Sequence, residues 1–523
     1  MDYGIISLLP PLLTIALAVA TKQVLPALVI GGFSGAIILS GNANVLDWIV
    51  GYFGFLSDAA TDPDNVGVFV LDFMIGITVA LFMRGGGAQA VADWASVKLK
   101  KDTAIQAIGW GATPFLFIDD MFSCMTITQI IKPVTDHFKV SREKLSFIMD
   151  TSAVSACCLV PISSWFIFVA ALLGPANEAA GIGDTPVFGQ LIGAIPYAFY
   201  AWLSFLMVAV VIFFKMDFGP MAKAERRAKV EGIVCKTPFS GDDGGEDELN
   251  SIKKGNGTKK DLFIPLGLLI GFALFMLLYT GGFFQSHNLT DALGNADGCI
   301  SLCYGMFLAD TYMIIKFMVS KVANLMDCVN TAVMGVKAFV LVNMILLLAW
   351  TLGNTTAELD TAGYLVSIMV GNVPGFVLPL LIFLATCAVA FSTGASWATY
   401  ALMMPIAVPL AVAMGVDVLP CIAAVMGGGA FGNHCSPIAD TAILSSVAAD
   451  IFHMDHIRTQ IPYSVTSASV ACVGFLLAGV TGGAIIPLVV ALIIQVAVIF
   501  VLYKKSGGRS IYEVDSSDEG VTE

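Results

Sequence analysis

Apolar runs long enough to cross a bilayer recur through the whole chain, and this repetition restricts its folds more than any other feature. They lie near 5–21, 23–40, 66–83, 145–173, 190–214, 262–280, 298–315, 338–353, 419–447, 461–480 and 485–503. A hydrocarbon core of about 30 Å takes about 20 residues of helix to span. With 57% hydrophobic and only 12% charged residues, and a mean hydropathy of +0.85, the chain also has too little charge to cover a soluble surface. The fold class predicted is an all-α polytopic membrane protein in the lipid bilayer. The net charge of −13 says little about partners, because much of it lies in loops and tails. The start resembles a signal peptide with Ala18-Val19-Ala20 as cleavage site. It carries Asp2 rather than Lys or Arg, however, so 1–22 reads as a retained first transmembrane helix. The eleven cysteines show no CxxC and no zinc spacing. They read as small buried hydrophobes, apart from Cys435, which sits inside a polar motif.

Two further regions, 104–135 and 376–412, are apolar but broken near the middle. Each limb has about 15 residues, near 22 Å of helix and short of the core thickness, so both read as re-entrant hairpins that enter and leave by one face. About 11 transmembrane helices then cross, with the N-terminus outside and the C-terminus cytoplasmic. All 26 Lys and Arg residues fall on the inside in this topology, including the ten from Lys215 to Lys260. The outside loops (41–65, 174–189, 281–297, 354–375 and 413–418) hold none, and carry acids such as Asp47, Glu178, Glu358 and Asp417 instead. That sorting follows the positive-inside rule. Crossing helices in place of the hairpins would put the ten basic residues of 215–260 outside. The stretch 215–260 reads as a disordered cytoplasmic linker, and 504–523 as a disordered cytoplasmic tail.

The chain also divides into two related halves, 23–214 and 261–480, followed by a last transmembrane helix at 481–503. "FVLDFMIGITVALFMRGG" from Phe69 resembles "FVLVNMILLLAWTLGNT" from Phe339. Each half then carries its broken region, followed by a long run interrupted by proline and polar residues. These are "SACCLVPISSW" within 145–173 and "GNHCSPIADT" within 419–447. Five crossings separate the two hairpins, and an odd number makes this an inverted-topology repeat. Pro161 and Pro437 cannot donate a backbone hydrogen bond, so both runs are predicted to be broken helices. Broken backbone at membrane depth is tolerated only where it faces protein or a watery cavity. Two hairpin tips and two breaks meeting near the midplane is where secondary transporters place their substrates.

The residues gathered there suit a small cation. Asp119 and Asp120 stand at the first hairpin tip, with Ser392 and Thr393 at the second. Asp440, Asn433, Ser436 and Thr441 surround the second break. His434, Ser163, Ser164 and Asp150 are candidate supporting groups. Carboxylate, hydroxyl and carbonyl oxygens are hard ligands, and the membrane core holds no Lys or Arg. A carboxylate withdrawn from water holds a proton more tightly, so proton and cation compete for it. The plain structural alternatives are turn formation for the aspartates, helix capping for the hydroxyls, and bonding to freed backbone for His434. Asp72 and Asp310 can equally pair with polar neighbours.

"GNHCSPIADTAILSS", "FIDDMFSCMT", "PISSW" and "LLLAWTLG" together resemble the NhaC family of bacterial Na+/H+ antiporters, over about 24–480. The resemblance implies a multi-pass secondary transporter of the bacterial inner membrane, in the ion-transporter superfamily. It further implies a homodimer with a scaffold and a moving transport domain, and an ion path lined by Asp119, Asp120, Asp440 and the polar residues around the two prolines. One departure is Asn433, which stands where the family usually has an acid. An amide coordinates a cation but carries no proton. The leading function is a secondary active transporter exchanging Na+ for H+, with both as transported ions and no cofactor. The alternative is a Na+- or H+-coupled transporter of a small organic anion or amino acid. No His-Glu-x-x-His or Gly-x-Ser-x-Gly motif suggests an enzyme, and nothing points to nucleic acid. His453 and His456 fall in a cytoplasmic loop.

Overall fold

The computed structural model describes residues 3–21, 23–87, 90, 101–117, 120–161, 163–236, 252, 257–287, 292, 298–361, 364, 373–394, 396–437 and 439–508. Among them the secondary structure is helical, with no strand. The first half runs α1 (Leu9–Thr21), α2 (Val24–Ser40), α3 (Val45–Thr61), α4 (Pro63–Gly85), α5 (Asp102–Ala112), α6 (Asp120–His137), α7 (Arg142–Leu159), α8 (Ser164–Ala179), α9 (Val187–Ala194) and α10 (Phe199–Phe214). A short α11 (Gly219–Arg226) precedes the second half: α12 (Lys260–Thr280), α13 (Gly298–Val319), α14 (Leu325–Glu358), α15 (Leu378–Thr393), α16 (Ser396–Ala413), α17 (Val418–Cys435), α18 (Asp440–Ala449) and α19 (His453–Thr481). The final helix is α20 (Ile485–Lys505).

Among the described residues, eight helices are long and apolar enough to cross a membrane, or up to ten if each sharply bent pair is one span. That is fewer than the eleven expected, and the differences have local causes. The 13-residue α1 is shorter than a bilayer span. The segment expected as an outside loop at 41–65 contains α3, which leaves α2 at 120°. Asn44 caps α3 by accepting from the Leu46 amide, and Asp47 sits in its first turn, where a negative charge meets the positive helix end. The apolar run at 338–353 is the centre of α14, whose 34 residues extend about 51 Å. An Asn324–Asp327 capping box starts it well before the apolar stretch. The linker read as disordered is folded over 215–236. Lys215 and Lys229 bind Asp102, and Arg227 binds Glu143, so these charges are paired rather than solvated.

The two halves match helix by helix. The starts of α5, α6, α7 and α8 at 102, 120, 142 and 164 recur 276 positions later at 378, 396, 418 and 440, and the ends of α7 and α17 at 159 and 435 keep the same offset. The turns between them repeat as well. Val140 donates to Thr135 O at 3.0 Å and Val416 to Ala411 O at 2.9 Å, with Lys139 and Gly415 left-handed.

Register establishes the hairpins. Thr386 and Ala390 of α15 face Gly428 and Gly432 of α17, so these helices run in the same direction. Ser396 and Tyr400 of α16 donate to Gly429 O and Met426 O, so α16 runs back. In the first half, Gly109 faces Met149 and the Cys157 thiol reaches Phe117 O, while Ile131 of the returning α6 lies against Gly109. Arg142 meets Asp450 and Ser146 meets Ser445, so α7 is antiparallel to α18. The repeat is inverted.

The glycines of "GGGAFGN" let both limbs of the second hairpin lie against α17. A Cβ on Gly428 would stand 2.5 Å from the Thr386 Cβ, and one on Gly432 would stand 2.2 Å from the Ala390 Cβ. Overpacking of this kind costs about 1–3 kcal/mol or more. Gly432→Val should therefore lower the thermal unfolding midpoint of the purified protein in detergent. Gly54→Ala, where nothing lies within 4 Å, should shift it far less.

Candidate functional site

The two helix breaks have the same backbone construction. α7 stops at Leu159 and α8 resumes at Ser164 with a 44° bend; α17 stops at Cys435 and α18 resumes at Asp440. Pro161 and Pro437 lie inside the interruptions. Val160 donates to Ala156 O and Ser436 to Gly432 O, and Ser163 and Ala439 close equivalent turns to Val160 O and Ser436 O. The side chains then diverge. The Ser163 hydroxyl donates to Cys157 O at 2.6 Å and accepts from the Phe166 amide at 3.2 Å, which caps α8. Its counterpart Ala439 offers no side-chain cap to α18.

Asp120, the first residue of α6, is where the elements meet. Its carboxylate is buried. The Trp165 indole N–H donates to Oδ1 at 3.0 Å and the Thr441 hydroxyl donates to Oδ2 at 2.9 Å. Trp165 and Thr441 are the second residues of α8 and α18, and hence equivalent positions of the two repeats. One carboxylate thus joins the first hairpin to both broken helices. The Asn433 amide extends the connection by donating to the Thr441 hydroxyl at 3.2 Å. Among the described residues its own carbonyl oxygen is buried without a partner, as are the hydroxyls of Ser164 and of Ser123, one turn after Asp120. Buried polar atoms left unmatched are uncommon and mark places where a ligand can bind. An amide oxygen, two hydroxyls and a carboxylate make an oxygen-rich set. Among the described residues, no three His, Cys, Asp or Glu side chains are grouped closely enough to hold a resident metal ion.

The remaining sequence-derived candidates fall into separate places. Asp119 lies outside the described residues. Asp440 starts α18, while Ser392 and Thr393 end α15; their side chains lie outside the described set. Ser436 is buried at the end of α17. The His434 ring shares a 2.8 Å hydrogen bond with the Tyr200 hydroxyl through Nδ1, and its Nε2 has no partner among the described residues. Asp150 is apart from the Asp120 contacts, bonded instead to Gln460 and facing His456 at 3.6 Å. His456 was expected in a cytoplasmic loop, yet it is fully buried in the first turn of α19, because α19 begins before the apolar run does.

Trp165 and Ser123 were not singled out from the sequence. Ser123 stands inside the quoted "FIDDMFSCMT", three positions after Asp120 and therefore on the same helix face. Trp165 follows "PISS" and reads as an apolar residue until its N–H is placed.

The model of the Na+/H+ antiporter family matches residues 156–480. Over 514 residues the chain is 31% identical to an uncharacterized protein of Haemophilus influenzae, covering 95% of each. Among solved structures, the YdaH transporter of Alcanivorax borkumensis is similar with a TM-score of 0.59 at 14% identity, covering 85% of this chain and 90% of that one. MtrF of Neisseria gonorrhoeae, described with a class of antimetabolite efflux pumps, is similar with a TM-score of 0.54 at 15% identity, covering 82% and 84%. At such identities the likeness is one of fold.

Trp165→Phe keeps the ring and removes the donor to Asp120. A hydrogen bond to a charged group is worth about 1.5–3 kcal/mol. The single variant should lose stability on that scale in detergent unfolding, and should lose much less when Asp120→Asn is already present. Additive losses in the double-mutant cycle would deny the coupling.

Proposed function

The chain belongs to the Na+/H+ antiporter family and is a multi-pass membrane transporter, and from that premise we propose that it exchanges cytoplasmic Na+ for external H+ by alternating access. The observation that carries this reading is the Asp120 carboxylate, held by equivalent residues of two inverted repeats, with the oxygens of Asn433, Ser164 and Ser123 on the elements it joins lacking a partner among the described residues. A cation entering there would exchange its water for Asp120, Asn433 Oδ1 and neighbouring hydroxyls, and the fixed negative charge selects its sign. Among the described residues, the side chains that donate to Asp120 are Trp165 and Thr441 and neither is Lys or Arg, which favours a cation over the alternative, a small organic anion or amino acid. Asp119 and Asp440 adjoin Asp120 and Thr441 in sequence and are proposed as further ligands.

The proposed setting is the bacterial inner membrane with the C-terminus cytoplasmic. The basic residues assigned to that side support it, since several form ion pairs at the start of α7: Arg142 with Asp136 and Asp450, Lys144 with Asp217, and Arg227 with Glu143.

The test is Na+-driven pH change in everted vesicles or proteoliposomes, together with uptake of radiolabelled organic acids and amino acids. Wild-type protein should respond to Na+. Asp120→Asn should abolish at least about 90% of the response, since removing one charged interaction of about 1.5–3 kcal/mol is a factor of ten or more. Active protein that moves an organic solute without a Na+-linked pH change, or an undiminished Asp120→Asn, would reject the antiport reading.

A further inference from the structure

A second buried polar centre lies beside the Asp120 site and is not used by it. Asp150 occupies the middle of α7 and is fully buried, as are His456 and Gln460 from α19. The Gln460 amide donates to Asp150 Oδ2 and also to His434 O at 3.0 Å. His456 Nε2 stands 3.6 Å from the same Oδ2 and 3.2 Å from the Ser445 hydroxyl. Ser146, one turn before Asp150, donates to Ser445 at 3.1 Å. Asp150 Oδ1 and His456 Nδ1 have no partner among the described residues. The group therefore joins α7 of the first repeat to α18 and α19 of the second.

The two centres differ in what they can accept. At Asp120 both oxygens receive a hydrogen bond from a neutral N–H or O–H, which steadies a negative charge that can draw a cation. At Asp150 one oxygen is open, and an imidazole faces the other. A carboxylate and an imidazole can share an added proton, as O–H on one or N–H on the other, without any metal ligand set. We propose that Asp150 and His456 form the proton-carrying site, separate from the cation site at Asp120. This rests on the cation/proton exchange reading.

One proton is taken from water on one side of the membrane, held as an O–H of Asp150 or an N–H of His456, and returned to water on the other. No other bond changes. Coupling to the cation is electrostatic. Asp150 and Asp120 feel one another's charge, and two positive charges in a poorly screened interior oppose each other, so proton and cation bind alternately without sharing one acid. The other titratable groups acting on Asp150 are His434 and Cys435 at the end of α17, His453 on α19, and Cys124 on α6. None of these is a lysine or arginine.

The experiment uses the full chain in proteoliposomes, measuring 22Na+ counterflow at equal pH on both sides and 22Na+ uptake driven by a pH gradient. Asp150→Asn and His456→Gln should keep counterflow within about threefold of wild type. Gradient-driven uptake should fall about tenfold or more, the change that one unit of proton affinity produces, and the pH dependence of counterflow should flatten. Size-exclusion profiles establish folding, and His456→Gln carries the test if Asp150→Asn does not fold. Variants that retain gradient-driven uptake, or that lose counterflow in parallel with it, overturn the proposal and leave the antiport reading standing. Wild-type counterflow without any gradient-driven uptake overturns the antiport reading, and the proton site with it.

Discussion

Backbone that stops being helical inside a bilayer has no water to turn to, so every freed amide and carbonyl needs a protein partner. The architecture around the two breaks answers this need. Around Pro161 the answer is local, because the Ser163 hydroxyl bridges Cys157 O and the Phe166 amide. Around Pro437 it is provided by distant residues: His453 binds Pro437 O at 2.7 Å and Gln460 binds His434 O at 3.0 Å. A self-contained break leaves its neighbours free. One that depends on α19 ties the second repeat to that helix, and the polar groups brought in for the backbone are the same ones that surround Asp150.

The inverted repeat gives the backbone a symmetry that the side chains do not follow. At the constant offset of 276 residues, Asp120 corresponds to Ser396, Cys157 to Asn433, Cys158 to His434, Ser164 to Asp440, and Asp150 to Met426. Each pair places a polar or acidic group in one half against a neutral one in the other. The exception is the Trp165–Thr441 pair, where both members donate, and both donate to Asp120. Two symmetric acids facing each other across a pseudo-axis would repel. One acid with two donors from equivalent positions avoids that repulsion and still couples the repeats.

How far this was legible in the sequence depended on the kind of signal. Proline within an apolar run marks an interruption wherever it occurs, so the breaks at Pro161 and Pro437 were readable, and limb length together with charge sorting pointed to the hairpins. The helix at Val45–Thr61 was not, because its apolar residues alternate with glycines, acids and small residues and fall below the pattern of a span. The folded stretch at 215–236 has a composition that is ordinarily solvated; partners distant in sequence order it, among them Asp102 and Glu143 opposite its cations and Lys144 opposite Asp217. Partnerships such as Trp165 with Asp120 join residues 45 positions apart, and Asp150 with Gln460 joins residues 310 apart. No local pattern encodes them. Burial without water decides them, by requiring each polar atom to find whichever donor the packing brings near.

The glycine contacts set a limit on how such a site can change its exposure. Gly428 and Gly432 bring the backbone of α15 against α17, and Gly429 admits the Tyr400 ring of α16 at a distance that leaves no room for a side chain. Ser396 and Tyr400 then donate directly to α17 carbonyls. Peeling the hairpin away from the broken helix would strip those carbonyls of partners and open a void where close packing now exists, with each lost contact and orphaned acceptor adding to the cost. The hairpin tip and the second break therefore behave as one packed unit. In the proposed exchange, access to Asp120 from opposite sides of the membrane would follow more economically from displacement of that unit against its neighbours than from the hairpin opening alone.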